Sequence, residues 1–102
     1  MPGVGKLLKQ AQKMQKAMEG VQSQLETIEV EGSAAGGAVK AVVSGQGALK
    51  SVKIDPEFLK EEISSVEASI VAAVQDAAAK AKQKSEEEMG KITGGFSMPG
   101  LF

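Results

Sequence analysis

Apolar residues recur at Val4, Leu7, Ala11, Met14, Met18, Val21 and Leu25, always three or four apart. At about 100° per residue these positions form one seam along an α-helix. The lysines of the same stretch are just as ordered. Lys6, Lys9, Lys13 and Lys16 fall three, four and three apart and cluster almost opposite the seam. The pattern predicts a helix over residues 3–26, with one face made for burial and the other a ladder of positive charge. Such a ladder is either a solvated face, where lysines usually end up, or a contact for a polyanion. Gly20 interrupts the helix on the lysine side, at about 1 kcal/mol relative to alanine, and the sequence offers no packing reason for it.

From Thr27 the period changes to two, and residues 27–54 read as a three-stranded meander. Ile28 and Val30 alternate with Glu29 and Glu31 as a short half-buried strand. Residues 32–37, all Gly, Ser or Ala, read as a loop. Residues 39–44 and 49–54 are the second and third strands. Gly45-Gln46-Gly47 between them supplies the positive φ angles of a tight hairpin. Lys40, Lys50 and Lys53 are expected to pair across strands with Glu29 and Glu31.

Asp55-Pro56 opens a short helical turn over residues 55–62, with Asp55 as its cap and Pro56 where a missing N–H is harmless. Ser64 and Glu67 have the spacing of a capping box and predict a helix over residues 64–90, closed by Gly90. Val66, Ile70, Val74, Ala77 and Ala81 share one face of it. Its alanines leave a flank thin enough for another backbone to approach closely. Lys82–Glu86 and Lys84–Glu88 have i,i+4 spacing, and residues 91–102 read as a flexible tail.

The fold class is therefore α+β: a long N-terminal helix, a three-stranded antiparallel sheet, a short helical turn and a long C-terminal helix in one domain. A 22-residue helix spans roughly 33 Å and a six-residue strand only about 20 Å. Each helix must overhang the sheet and leave apolar seam uncovered. A second copy is the simplest cover, so a homodimer is expected. Its interface is expected at Leu7, Ala11, Met14, Met18, Val21, Ile70, Val74 and Ala77.

Composition narrows the chemistry. The 102 residues contain no Cys, His, Trp or Tyr, so thiolate chemistry, the usual general base and the commonest metal ligand are all missing. Neither catalysis nor a metal or other cofactor is expected. Gly3-Val4-Gly5-Lys6 lacks the upstream glycine and strand of a phosphate-binding loop, and Leu7 stands where its hydroxyl belongs. Glu86, Glu87 and Glu88 occupy consecutive helical positions and point different ways, so they read as a solvated charge run rather than a cation site. The net charge is −1, so any basic surface must be local. All twelve cations are lysine, which neutralises phosphate but lacks the guanidinium fork that reads guanine edges. With no long apolar run and no leader pattern at residues 1–5, the chain reads as cytoplasmic, with no membrane role.

The order of elements resembles the YbaB/EbfC family of bacterial nucleoid-associated proteins. The likeness is carried by Lys9-Gln10-Ala11-Gln12-Lys13-Met14-Gln15, by Gly32, Gly36-Gly37, Val39-Lys40 and Gly45, and by Val52-Lys53-Ile54-Asp55-Pro56. It continues through Ile70-Val71-Ala72-Ala73-Val74-Gln75-Asp76-Ala77 and Glu88-Met89-Gly90-Lys91-Ile92-Thr93-Gly94-Gly95. Ala35 stands where the family often has a third glycine, and Gln75 where asparagine is common. The resemblance implies a tweezer-like homodimer located in the nucleoid. It further implies binding of double-stranded DNA that alters DNA conformation and affects gene expression, with no small-molecule substrate. Charge geometry nominates Lys6, Lys9, Lys13 and Lys16 as DNA contacts, with Lys80, Lys84 and Lys91 as the other candidate group. One alternative is a protein-interaction module that uses the helical seam; another, an amphipathic helix lying on anionic membrane, is weakened by a modest apolar side with no Trp or Phe to enter the headgroup layer.

Overall fold

The computed structural model describes residues 3–95. Helix α1 (Val4–Thr27) leads into strands β1 (Glu29–Ala34), β2 (Val39–Ser44) and β3 (Leu49–Ile54), and helix α2 (Ile63–Gly95) follows. Single 3-10 turns at Ala35–Gly37 and Phe58–Lys60 complete the chain. The strands form one antiparallel sheet in the order β1-β2-β3, so the α+β architecture expected from the sequence is the one observed.

The core forms where α2 lies across the sheet. Alternation along β2 buries Val39, Ala41 and Val43, and the four-residue spacing of Ala73, Ala77 and Ala81 presents a row of methyl groups to them. Gly32 on β1 pairs with Ala41. A Cβ at that position would lie 2.6 Å from the Ala73 carbonyl oxygen and 2.7 Å from Ala77 Cα, and would run into the Ala77 backbone nitrogen. Small residues on both layers therefore let helix backbone settle directly onto sheet backbone. This corrects two expectations. Residues 32–34 belong to a strand rather than a loop, because Gly32 is required by this contact. The thin alanine flank is used within the chain.

α1 is fastened at one end only. Leu25 is fully buried, and a Cβ on Gly45 would lie 2.8 Å from Leu25 Cδ2. The Gly45 N–H donates to the carbonyls of Leu25 at 2.8 Å and Ile28 at 3.1 Å, and the Gln46 side-chain amide donates to the Gln22 carbonyl at 2.9 Å. In the hairpin turn only Gly47 has a left-handed φ, at +91°. Gly45 is glycine for the close approach of Leu25. Met14, Ala17 and Val21 are half-buried, whereas Val4, Leu7 and Leu8 are exposed.

The overhang predicted from element lengths is present. The molecule measures 70 × 23 × 16 Å with a radius of gyration of 19.7 Å, against about 13 Å for a compact chain of this length. α2 rises about 50 Å at 1.5 Å per residue. The rest of the long axis is the first half of α1, projecting from the body as an arm.

Both ends of α2 differ from the sequence reading. α2 starts at Ile63, with the Ser65 and Val66 N–H groups donating to the Glu62 carbonyl at 3.0 and 3.1 Å. Ser64 thus falls inside the first turn, and among the described residues its side chain caps no backbone N–H. α2 also runs through Gly90 to Gly95. An established helix gains one hydrogen bond for each residue added, which offsets the glycine penalty. Residues 91–95 are therefore helical, and the remainder of the expected tail, 96–102, lies outside the described residues. Asp55 caps its turn as expected: its Oδ1 accepts from the Glu57 N–H at 3.0 Å.

Ala35 sits in the left-handed region at φ +54°, ahead of Gly36 at +65° and Gly37 at +94°. That conformation costs an alanine about 1 kcal/mol or more. Ala35→Gly is expected to raise stability by about 1 kcal/mol, and Gly32→Ala to lower it by about 3 kcal/mol through overpacking. Urea midpoints at unchanged slope measure both.

Candidate nucleic-acid interface

Lys6, Lys9, Lys13 and Lys16 all lie exposed on the projecting half of α1. Among the described residues none of them takes part in an ion pair; the pairs found are Lys60–Glu57, Lys80–Asp76, Lys84–Glu88 and Lys91–Glu88. From Lys6 to Lys16 the helix rises about 15 Å. One strand of B-DNA presents a phosphate roughly every 3.4 Å of axis, so four cations over that rise face about four phosphates. Lys9, Lys13 and Lys16 border a shallow depression of about 420 Å³ together with Gln12, Gln15 and Glu19.

The helix end adds to this charge. α1 has no acidic residue in its first turn, and its cap, Gly3, makes no side-chain hydrogen bond. The free N–H groups there carry the positive end of the helix dipole. Lysines near that end are unfavourable for an isolated helix, because like charges meet. An anion would satisfy the N–H groups and the ammonium groups together.

The second lysine group sits differently. Lys80 pairs with Asp76 at 3.1 Å, and Glu88 lies between Lys84 at 3.5 Å and Lys91 at 3.2 Å. These pairs are open to solvent and contribute little to stability. Asp76 has a second task that the sequence did not disclose: its Oδ2 accepts the Ser33 N–H of edge strand β1 at 3.0 Å. That N–H, followed by the Lys80 ammonium, holds the Asp76 carboxyl below its ordinary value. Lys91, with Lys84, does the same for Glu88. An acid alone in an alanine run is the only sequence signal of the Asp76 contact, and it does not name the partner.

Other expected contacts are absent among the described residues. Lys82 makes no pair with Glu86. Lys40, Lys50 and Lys53 line a depression of about 510 Å³ on the outer sheet face with Glu29 and Glu31 and form no ion pair with them. The register explains this: Glu31 faces Val42 and Glu29 faces Ser44, while Lys40 faces Lys53. Of the residues expected between subunits, Leu7, Ala11 and Met18 are exposed and Met14, Val21, Ile70 and Val74 are half-buried. Ala77 is fully buried against the chain's own sheet and has no surface left for a second subunit.

The YbaB/EbfC DNA-binding family matches residues 1–96. A nucleoid-associated protein of Alkaliphilus metalliredigens is 45% identical over 102 residues, covering 99% of this chain and 90% of its own. One from Dictyoglomus turgidum is 46% identical over 97 residues, 93% of each chain. The crystal structure of an uncharacterized protein from Helicobacter pylori superposes with a TM-score of 0.65 at 17% identity, over 76% of this chain and 90% of that one, which shows a shared fold. Among the described residues no helix is long and apolar enough to cross a membrane.

The depressed Asp76 carboxyl has a pH signature. Its stabilisation is complete above the ordinary value of 3.8 and is lost as pH falls through the lower folded value. Asp76→Asn keeps an oxygen for the Ser33 N–H but removes the charge. Its stability deficit against the wild type is expected to be largest near neutral pH and to shrink as pH drops below about 4, read from urea midpoints across the range.

Proposed function

Since the chain belongs to the YbaB/EbfC DNA-binding family, we propose that it is a non-enzymatic nucleoid-associated protein whose homodimer binds duplex DNA mainly through phosphates and alters its conformation. The observation that carries this reading is the set of four unpaired lysines at the positive end of a helix standing clear of the body. From Val4 to Ala17 the helix carries no carboxylate, and Glu19 borders the lysine depression only at its end towards the body. Phosphate neutralisation answers both the ammonium groups and the helix end. With no arginine in the chain, sequence preference is weak, because the bidentate fork for guanine is missing.

The dimer reading draws on the thin core and the long overhang. Among the described residues three side chains larger than alanine are fully buried (Leu25, Val39 and Val43), a small apolar reserve for a fold 70 Å long. Two arms on one dimer hold a duplex at two places and so impose a path on it. The bacterial relatives named nucleoid-associated proteins point to the nucleoid as its location.

If about six phosphates are neutralised, log K falls against log salt with a slope near −5. Replacing Lys6, Lys9, Lys13 and Lys16 with glutamine is expected to weaken binding equally on unrelated sequences and to flatten that slope, with the oligomeric mass unchanged. Replacing Lys80, Lys84 and Lys91 should weaken binding less, because those ammonium groups must first leave carboxylates. A titration insensitive to salt would rule out the phosphate mechanism.

A further inference from the structure

The apolar seam of α1 is covered along part of its length. Leu25 is buried, and Val21, Ala17 and Met14 are half-buried. On α2 the half-buried residues past Ala81 are Lys84, Ser85, Glu88, Met89 and Ile92. Val21 and Leu25 border one depression with Lys84 and Glu88. From that contact the half-buried run on α1 goes to lower numbers and the run on α2 to higher ones, so the two helices pass each other antiparallel. At 1.5 Å per residue, Met14 lies about 17 Å from Leu25 and Gly95 about 17 Å from Lys84, which sets them level. Gly95 is the last residue of α2. Past this level the seam continues uncovered among the described residues: Ala11 is exposed, Leu7 is 54% exposed, Leu8 59% and Val4 46%. This open stretch, from Met14 to Val4, is about 15 Å long.

The sequence after Gly95 is Phe96-Ser97-Met98-Pro99-Gly100-Leu101-Phe102. Four of these seven side chains are large and apolar, and none is charged. Phe96 and Phe102 are two of the three aromatic residues in the chain.

We infer that residues 96–102 lie along the seam of their own α1, continuing the direction of α2 and covering Ala11, Leu7, Leu8 and Val4. The chain need not reverse, because α2 already points along the open seam. Length fits as well. Seven extended residues reach at most about 24 Å, enough for the open stretch, whereas seven helical ones rise only about 10 Å. Pro99 and Gly100 both disfavour a helix, so they suit the extended form. Polarity selects this occupant. An uncharged apolar segment gains by leaving water against the seam and gains nothing from the lysine face opposite. Two α1 arms packed seam to seam would instead bring together the like charges of two lysine ladders. Covering the seam leaves Lys6, Lys9, Lys13 and Lys16 open, and nothing in the placement depends on what they bind.

A chain without cysteine allows the contact to be tested by disulfide formation in the full-length protein. Leu7→Cys combined with Leu101→Cys is expected to lose its free thiols on mild oxidation while staying at the 10.5 kDa chain mass on a denaturing gel. Lys9→Cys combined with Leu101→Cys, with the first thiol on the opposite face of α1, should oxidise about tenfold more slowly, because the effective concentration of the two thiols is lower. Phe96→Ser, Leu101→Ser and Phe102→Ser together are expected to speed amide hydrogen exchange over residues 4–13 about fivefold, with exchange in the sheet unchanged. Equal oxidation rates for the two cysteine pairs would overturn the placement. A disulfide formed only between chains, at twice the single-chain mass, would overturn it too and assign the seam to a second copy. Unchanged exchange in the serine variant would likewise overturn it, since the arm would then be no better protected with the apolar segment than without.

Discussion

The structure depends on the near-contact of two backbones, where α2 crosses β1 at Gly32. Helices usually stand about 10 Å off a sheet because side chains fill the gap. Here Ala73, Ala77 and Ala81 against Gly32 and Ala41 leave little to fill. Close packing gains dispersion contacts along the whole crossing, but it buries few large side chains. The bulkier apolar residues are consequently displaced to the edges of the contact: Leu49, Ile63 and Val71 on the body, and Val4, Leu7 and Leu8 on the arm. A chain that places its smallest residues in its own core leaves its larger ones at the rim, so the thin interior and the exposed apolar edges are two aspects of one arrangement.

The arm follows from a second close contact. Leu25 against Gly45, with the hydrogen bonds from Gly45 and Gln46, clamps the last turns of α1. Nothing on the body holds its first turns. A continuous helix transmits that one-sided anchoring along its length, so the lysines are held roughly 14 to 28 Å along the helix from Leu25, at 1.5 Å per residue. Such a helix can carry a charge pattern that is unfavourable for itself, with lysines next to its own positive end, because burial elsewhere maintains its geometry.

The elements with strong periodicity were legible in the sequence. The three-four seam of α1, the alternation of β2 and β3 and the Asp55-Pro56 turn lie where their patterns place them. What stayed hidden depended on contacts between distant residues. Gly32 reads as a loop residue because its reason for being glycine is Ala77, far along the chain. Ala77 reads as an interface residue because its own apolar face gives no sign that a glycine lies opposite. Ser64 and Glu67 have the letters of a capping box, yet the Glu62 carbonyl starts the helix two residues earlier. The lysine ladder itself was fully visible. Whether it was paired was not, since its state turns on which carboxylates come within reach, and the fold directs those to Lys60, Lys80, Lys84 and Lys91 instead.

That direction of carboxylates also explains how an acidic chain, with a pI of about 5.5, can present a local basic surface. Net charge acts at distances much longer than the separation between an ammonium group and a phosphate. At physiological salt the field of an exposed charge fades over about 8 Å. Lys6 stands roughly 28 Å along α1 from Leu25, at 1.5 Å per residue. The acids at the start of α2 and in the turn before it (Glu57, Glu61, Glu62 and Glu67) lie on the body, beyond the clamp. Glu88, nearer the arm, is answered by Lys84 and Lys91. A phosphate approaching the ladder therefore meets the four lysines and the helix end, with Glu19 alone among the nearby acids at the body end of the same depression, while the carboxylates of the body are screened from it. Length here does the work that a basic composition does in more compact DNA-binding proteins, and a shorter α1 with the same residues would bring the ladder within range of the carboxylates it now avoids.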